Sequence, residues 1–127
     1  MNSIPYLIVF LGSGIGGAFR HGINELVSYF FGTRFPFGII TINITGSLLL
    51  ALLAGYFAFK GEASQHWRLF LTTGICGGYT TFSAFSQDAV LLIERGQPGI
   101  SLLYIVLSVS LSIGVFFLGL WVMRHLS

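Results

Sequence analysis

The residues of this sequence that can do chemistry are uncharged and sit among aliphatic neighbours. Asn43 lies between Thr41 and Thr45, with Ser47 one helical turn further on. A primary amide carries two donors and an acceptor, and inside a membrane it is costly unless it faces protein or water. Asn43 therefore either bonds two helices together or offers an N–H to a passing ion. A second group follows two adjacent glycines in the run Gly77-Gly78-Tyr79-Thr80-Thr81-Phe82-Ser83-Ala84-Phe85-Ser86. Phe82 and Phe85 are three residues apart, so on a helix they share one face, with Ser86 beside them. Ring edges carry partial positive charge. Edges turned into a pathway attract an anion weakly, with no fixed cation to trap it; edges turned into a core only pack. Tyr104, Ser108 and Ser112 recur at four-residue steps. They form a polar stripe on an apolar helix, expected to face a pathway or a partner helix.

Other chemistries find no support. Paired carboxylates, a nucleophile with a neighbouring base and a metal-binding cluster are all missing, which leaves nothing to build an enzyme site from. Cys76 is the only cysteine, so neither an intramolecular disulfide nor a zinc site follows. The net charge of +2 is carried by singly scattered basic residues, a poor footprint for nucleic acid. Gly12-Ser13-Gly14-Ile15-Gly16-Gly17 contains a GxxxG pattern, which suits closely packed helices. A phosphate cradle would need a preceding strand, and none is indicated.

The elements that must position these residues are membrane helices. Charged residues make up 8% of the chain and hydrophobic residues 54%, whereas soluble domains carry roughly 25% charge. A bilayer core needs about 20 predominantly apolar residues per helical crossing. Four such runs fit an all-α membrane protein with a single domain over 1–127 and spans near 4–31, 35–59, 67–94 and 97–124. The punctuation falls at Gly32 to Pro36, Lys60 through Glu62 to Arg68, and Glu94 to Pro98. The first run lacks a basic leader and a small-residue cleavage pattern, so it is expected to be a retained helix and not a signal peptide.

The third span is unlike the others. Gly77-Gly78 followed by Thr80-Thr81 at mid-membrane makes a poor continuous helix, and a break is expected there, its alternative being a mere kink. Unwound backbone at that depth survives only where protein or a cavity satisfies it, and freed carbonyls can hold a small cation. Four helices are too few to enclose an aqueous pathway, so transport would require at least a dimer. Lys60, Arg68 and Arg124 lie at one end of the helices and Arg34 and Arg95 at the other, with Arg20 nearer the latter. This balance lacks the usual positive-inside bias. Either topology is set by something subtler, or the chain inserts both ways and pairs antiparallel.

The GG-x-TTFS-x-FS run placed after the expected third-span break, with Asn43 one helix earlier and Arg20 in the first, resembles the Fluc family of small fluoride channels over the whole chain. The resemblance implies passive fluoride export across the inner (plasma) membrane by a multi-pass, dual-topology antiparallel homodimer with two pores. It implies Phe82 and Phe85 as the pore rings and Asn43 as a donor to the anion. Ser83, Tyr104, Ser108 and Ser112 would form a polar track, and Arg20 would stand at the vestibule. The backbone carbonyls of Gly77 and Thr80 would hold a structural sodium ion. Two residues depart from the family pattern: Ala84 stands where a hydroxyl residue is usual, and Asp88 where Glu is common.

Fluoride holds its water tightly, so a selective path must replace hydration with donors without binding the ion too strongly to release it. Asn43, the hydroxyls and the ring edges suit that task. A small multidrug exporter would need an acidic residue deep in the first span, and Glu25 lies too near the helix end. A non-transporting membrane subunit would explain the glycines, but not the joint presence of the break, Asn43 and the Phe pair.

Overall fold

A computed structural model describes residues 2–61 and 63–126; Met1, Glu62 and Ser127, which belong to the expected domain and its middle loop, lie outside the described residues. Four helical spans make up the chain, and the third is interrupted. The first, α1 (Ile4–Phe31), has a proline in its first turn, where the missing N–H is no loss. It stops at Gly32, whose φ of 79° suits only glycine, and the Gly32 N–H closes the last turn onto the Ser28 carbonyl at 2.8 Å. Pro36 precedes α2 (Phe37–Phe59).

The third span is assembled from pieces. Ser64 caps α3 (Gln65–Leu69) by accepting from the Trp67 N–H. A π-helical stretch, Phe70–Cys76, follows, then a single turn, α4 (Gly77–Tyr79), and after an extended link α5 (Ser83–Glu94). Gly96, with φ 79°, ends the span, and Pro98 opens α6 (Pro98–Leu126).

The break lies one turn later than the glycines suggest. Gly77 keeps helical angles, φ −63° and ψ −38°, whereas Thr80 is extended at φ −79° and ψ 161°. Gly77-Gly78 is therefore not where the helix unwinds. Gly78 instead permits close approach to α1: a Cβ there would lie 2.7 Å from Ser13 Cα. Gly12 and Gly74 meet in the same way, a Cβ on Gly12 falling 2.9 Å from Gly74 Cα. The glycine-rich face of α1 thus packs on the π-helical stretch and α4, while α2 packs chiefly on α6.

Ile39, Ile40 and Ile42 of α2, Phe85, Ala89 and Leu92 of α5 and Tyr104 of α6 form the core. Outward faces are apolar, with Phe10, Tyr29, Leu102 and Phe117 exposed. In water such faces would associate; in a bilayer they meet lipid. α2 and α6 are the most clearly membrane-spanning, with mean hydropathy of 2.0 and 2.4.

Candidate functional site: a neutral groove at the broken helix

Asn43 and Thr81 hold the interruption together. Asn43 Nδ2 donates to the Thr81 carbonyl at 2.9 Å, and the Thr81 N–H donates to Asn43 Oδ1 at 2.9 Å. The side-chain amide thus pairs with one peptide group as a neighbouring strand would, satisfying backbone that unwinding leaves without helical partners. One Nδ2 hydrogen of Asn43 remains for another acceptor. The Thr81 hydroxyl starts α5 by accepting from the Ala84 N–H at 3.0 Å, and it shares a 3.2 Å hydrogen bond with Ser83 Oγ.

These bonds divert donors from two carbonyls. In a continuous helix the Thr81 N–H would reach the Gly77 carbonyl, and the Ala84 N–H would reach that of Thr80. Here both donors go to side chains. Gly77 and Thr80 also line the groove described next.

A groove of about 500 Å³ runs beside the break, and seven of the residues singled out in the sequence line it: Asn43, Gly77, Thr80, Phe82, Phe85, Ser108 and Ser112. Every lining side chain is neutral. Ser108 Oγ and Ser112 Oγ are buried with no hydrogen-bond partner. Helix serines commonly bond back to a carbonyl one turn earlier; these two keep their donors for the groove.

Phe82 and Phe85 lie 5.6 Å apart, centroid to centroid, with their planes at 50°. Their environments differ. Phe85 is 8% exposed and packs on Tyr104 at 5.2 Å, whereas Phe82 is 77% exposed on the open side of the groove.

Three expected site residues lie outside the lining. Tyr104 is fully buried between Phe35 and Phe85, and its hydroxyl makes a long 3.4 Å contact with Asp88 Oδ2. The stripe on α6 divides because four-residue steps drift about 40° each around an α-helix. Tyr104 turns into the core while Ser108 and Ser112 face the groove. Ser83 is exposed at the start of α5, tied to Thr81. Arg20, half-buried on α1, forms no ion pair among the described residues. Glu25, the acid an exporter would use, is exposed on α1 and pairs with His21 at 3.1 Å. Ser47 and Thr81 line the groove without having been singled out as site residues. Ser47 lies one turn beyond Asn43, and that spacing was the available signal.

The model of the family described as CrcB-like protein, Camphor Resistance (CrcB), matches residues 7–120. A protein of Rhodopseudomonas palustris named fluoride-specific ion channel FluC is 57% identical over 124 residues, covering 98% of this chain and 100% of that one. Fluoride-specific ion channel FluC 2 of Nitrobacter hamburgensis is 52% identical over 122 residues, covering 96% and 98%. A FluC of Granulibacter bethesdensis is 52% identical over 123 residues, with 97% of each chain covered. On a match that runs through all four helical spans and the groove they build, the chain belongs to the CrcB-like family.

Proposed function

We infer that this protein is a fluoride-specific ion channel of the membrane, carrying the anion passively, and not an enzyme. The observation that carries this reading is the neutral groove, in which two unpaired serine hydroxyls and an amide N–H converge beside the Phe82 and Phe85 rings. Uncharged donors replace the water that a small anion must shed, and no lining side chain is charged to hold it. Full-length relatives named as fluoride-specific channels agree with this chemistry.

Asn43, Phe82, Phe85, Ser108 and Ser112 contact the ion, while Ser83 and Tyr104 act from the two sides of Phe85. Arg20 stands at the wider mouth. The chain is one membrane domain over 1–127, crossing near 4–31, 35–59, 67–94 and 97–124, and it works as an antiparallel homodimer with two pores. The open side of the groove and the 77% exposure of Phe82 support a second copy closing each pathway. The diverted donors at Gly77 and Thr80 support a structural sodium ion held by those carbonyls. Such a cation supplies fixed positive charge that ties unwound backbone together.

Fluoride efflux from liposomes containing the purified protein tests the reading. Efflux well above that from empty vesicles is expected, and none above that background ends the channel interpretation. Protein prepared and assayed without sodium should conduct more slowly; equal rates would remove the cation from the account.

A further inference from the structure

We propose that Ser47 contacts the permeating anion, forming with Ser112 a second hydrogen-bonding station that leads from the main groove into an adjoining one. The proposal rests on the channel reading above and extends it to a residue and a stretch of path beyond the rings.

Ser47 and Ser112 line both grooves. The second, of about 340 Å³, continues from them to Phe116 and Phe117. The two serines therefore stand where the main groove opens toward the C-terminal end of α6. Helices α2 and α6 run parallel, in a register set by close contacts of Gly119 with Ala51 and of Gly55 with Met123. Asn43 to Ser47 on α2 and Ser108 to Ser112 on α6 are both four-residue steps, each a rise of about 6 Å. The offset set by those contacts staggers the donors along the pair in the order Ser108, Asn43, Ser112, Ser47, alternating between the two helices. An ion leaving Asn43 meets Ser112 and then Ser47 further along.

The hydroxyls themselves support this use. Ser112 Oγ is buried without a partner. Ser47 makes no hydrogen bond among the described residues, although Thr45 nearby bonds back to the Thr41 carbonyl at 2.8 Å. Close helix approach alone does not call for serine. One turn further along α2, where Gly119 comes close, the residue is Ala51. A hydroxyl at position 47 adds a donor that packing does not require.

Efflux of fluoride from liposomes carrying wild type, Ser47→Ala and Ser47→Thr decides the matter. Loss of one hydrogen bond to a charged group should slow Ser47→Ala about tenfold. Ser47→Thr, which restores the hydroxyl, should fall within about twofold of wild type, with all three eluting at the same size in detergent. Wild-type rates in Ser47→Ala overturn the proposal, as does a Ser47→Thr protein as slow as the alanine variant. If Ser47→Ala does not fold, Ser47→Cys, similar in size but a poor donor, takes its place, and wild-type rates there overturn the proposal equally. A wild type that carries no fluoride would instead sink the channel reading on which this one stands.

Discussion

At the scale of single residues, the two phenylalanines of the signature are not equivalent. Phe85 is wedged against Tyr104 in the core, and Phe82 has almost no cover within its own chain. Replacing either by Ile keeps apolar bulk and removes the ring edge. Both variants should lose most fluoride efflux, because each removes part of the weak positive lining. Only Phe85→Ile should also unfold more easily, by about 1 kcal/mol, since it alone leaves a filled core site. Thermal unfolding alongside efflux checks the pair, and unchanged efflux in both would reduce the rings to packing. The sequence offered helix glue or ion donor as alternatives for Asn43. The structure shows the first, the amide clamping the Thr81 peptide, and the second remains part of the proposal, open to the Nδ2 hydrogen that Thr81 does not use. The pairing spans 38 residues, so no local pattern around Asn43 could have revealed it.

At the scale of elements, the helices were legible because each is a long apolar run bounded by Gly, Pro or charge. The interruption of the third span was legible in kind, and its position was not. Helix propensity assigns the break to Gly77-Gly78, the weakest helix formers in the run. What decides the matter is tertiary: α1 needs a residue without a side chain at 78, and Asn43 offers its hydrogen bonds at 81. Four-residue spacing likewise indicated a stripe on α6 but not how far it turns, which is why Tyr104 falls into the core. The glycines therefore divide in their tolerance of a methyl group. Gly78→Ala would drive its Cβ into the Ser13 backbone and should destabilise the fold by roughly 1–3 kcal/mol. At Gly77 the nearest atom to an added Cβ is 3.8 Å away, and Gly77→Ala should leave the folded chain intact. Thermal unfolding of the two variants in detergent checks the contrast. Equal stability would mean that α1 and α4 do not press together as described.

At the scale of the whole molecule, the charges at the two ends of the bundle nearly balance, and one flank of the groove is open. The antiparallel pairing proposed above would account for both. If the chain inserts in both orientations, a Lys60→Cys variant in sealed cells should react to about half with a thiol reagent that cannot cross the membrane. Full reaction, or none, would show a single orientation. Cys76 is buried and does not compete. The neutrality of the groove has a further bearing on physiology. No lining side chain gains or loses a proton near pH 7, so acidity has no handle on the conduit itself. Nor does the lining offer a charge for membrane voltage to pull on. Throughput is then governed by the electrochemical gradient of the ion and by how many copies the cell makes: the molecule behaves as a standing leak for one ion, with abundance the cell's means of throttling it.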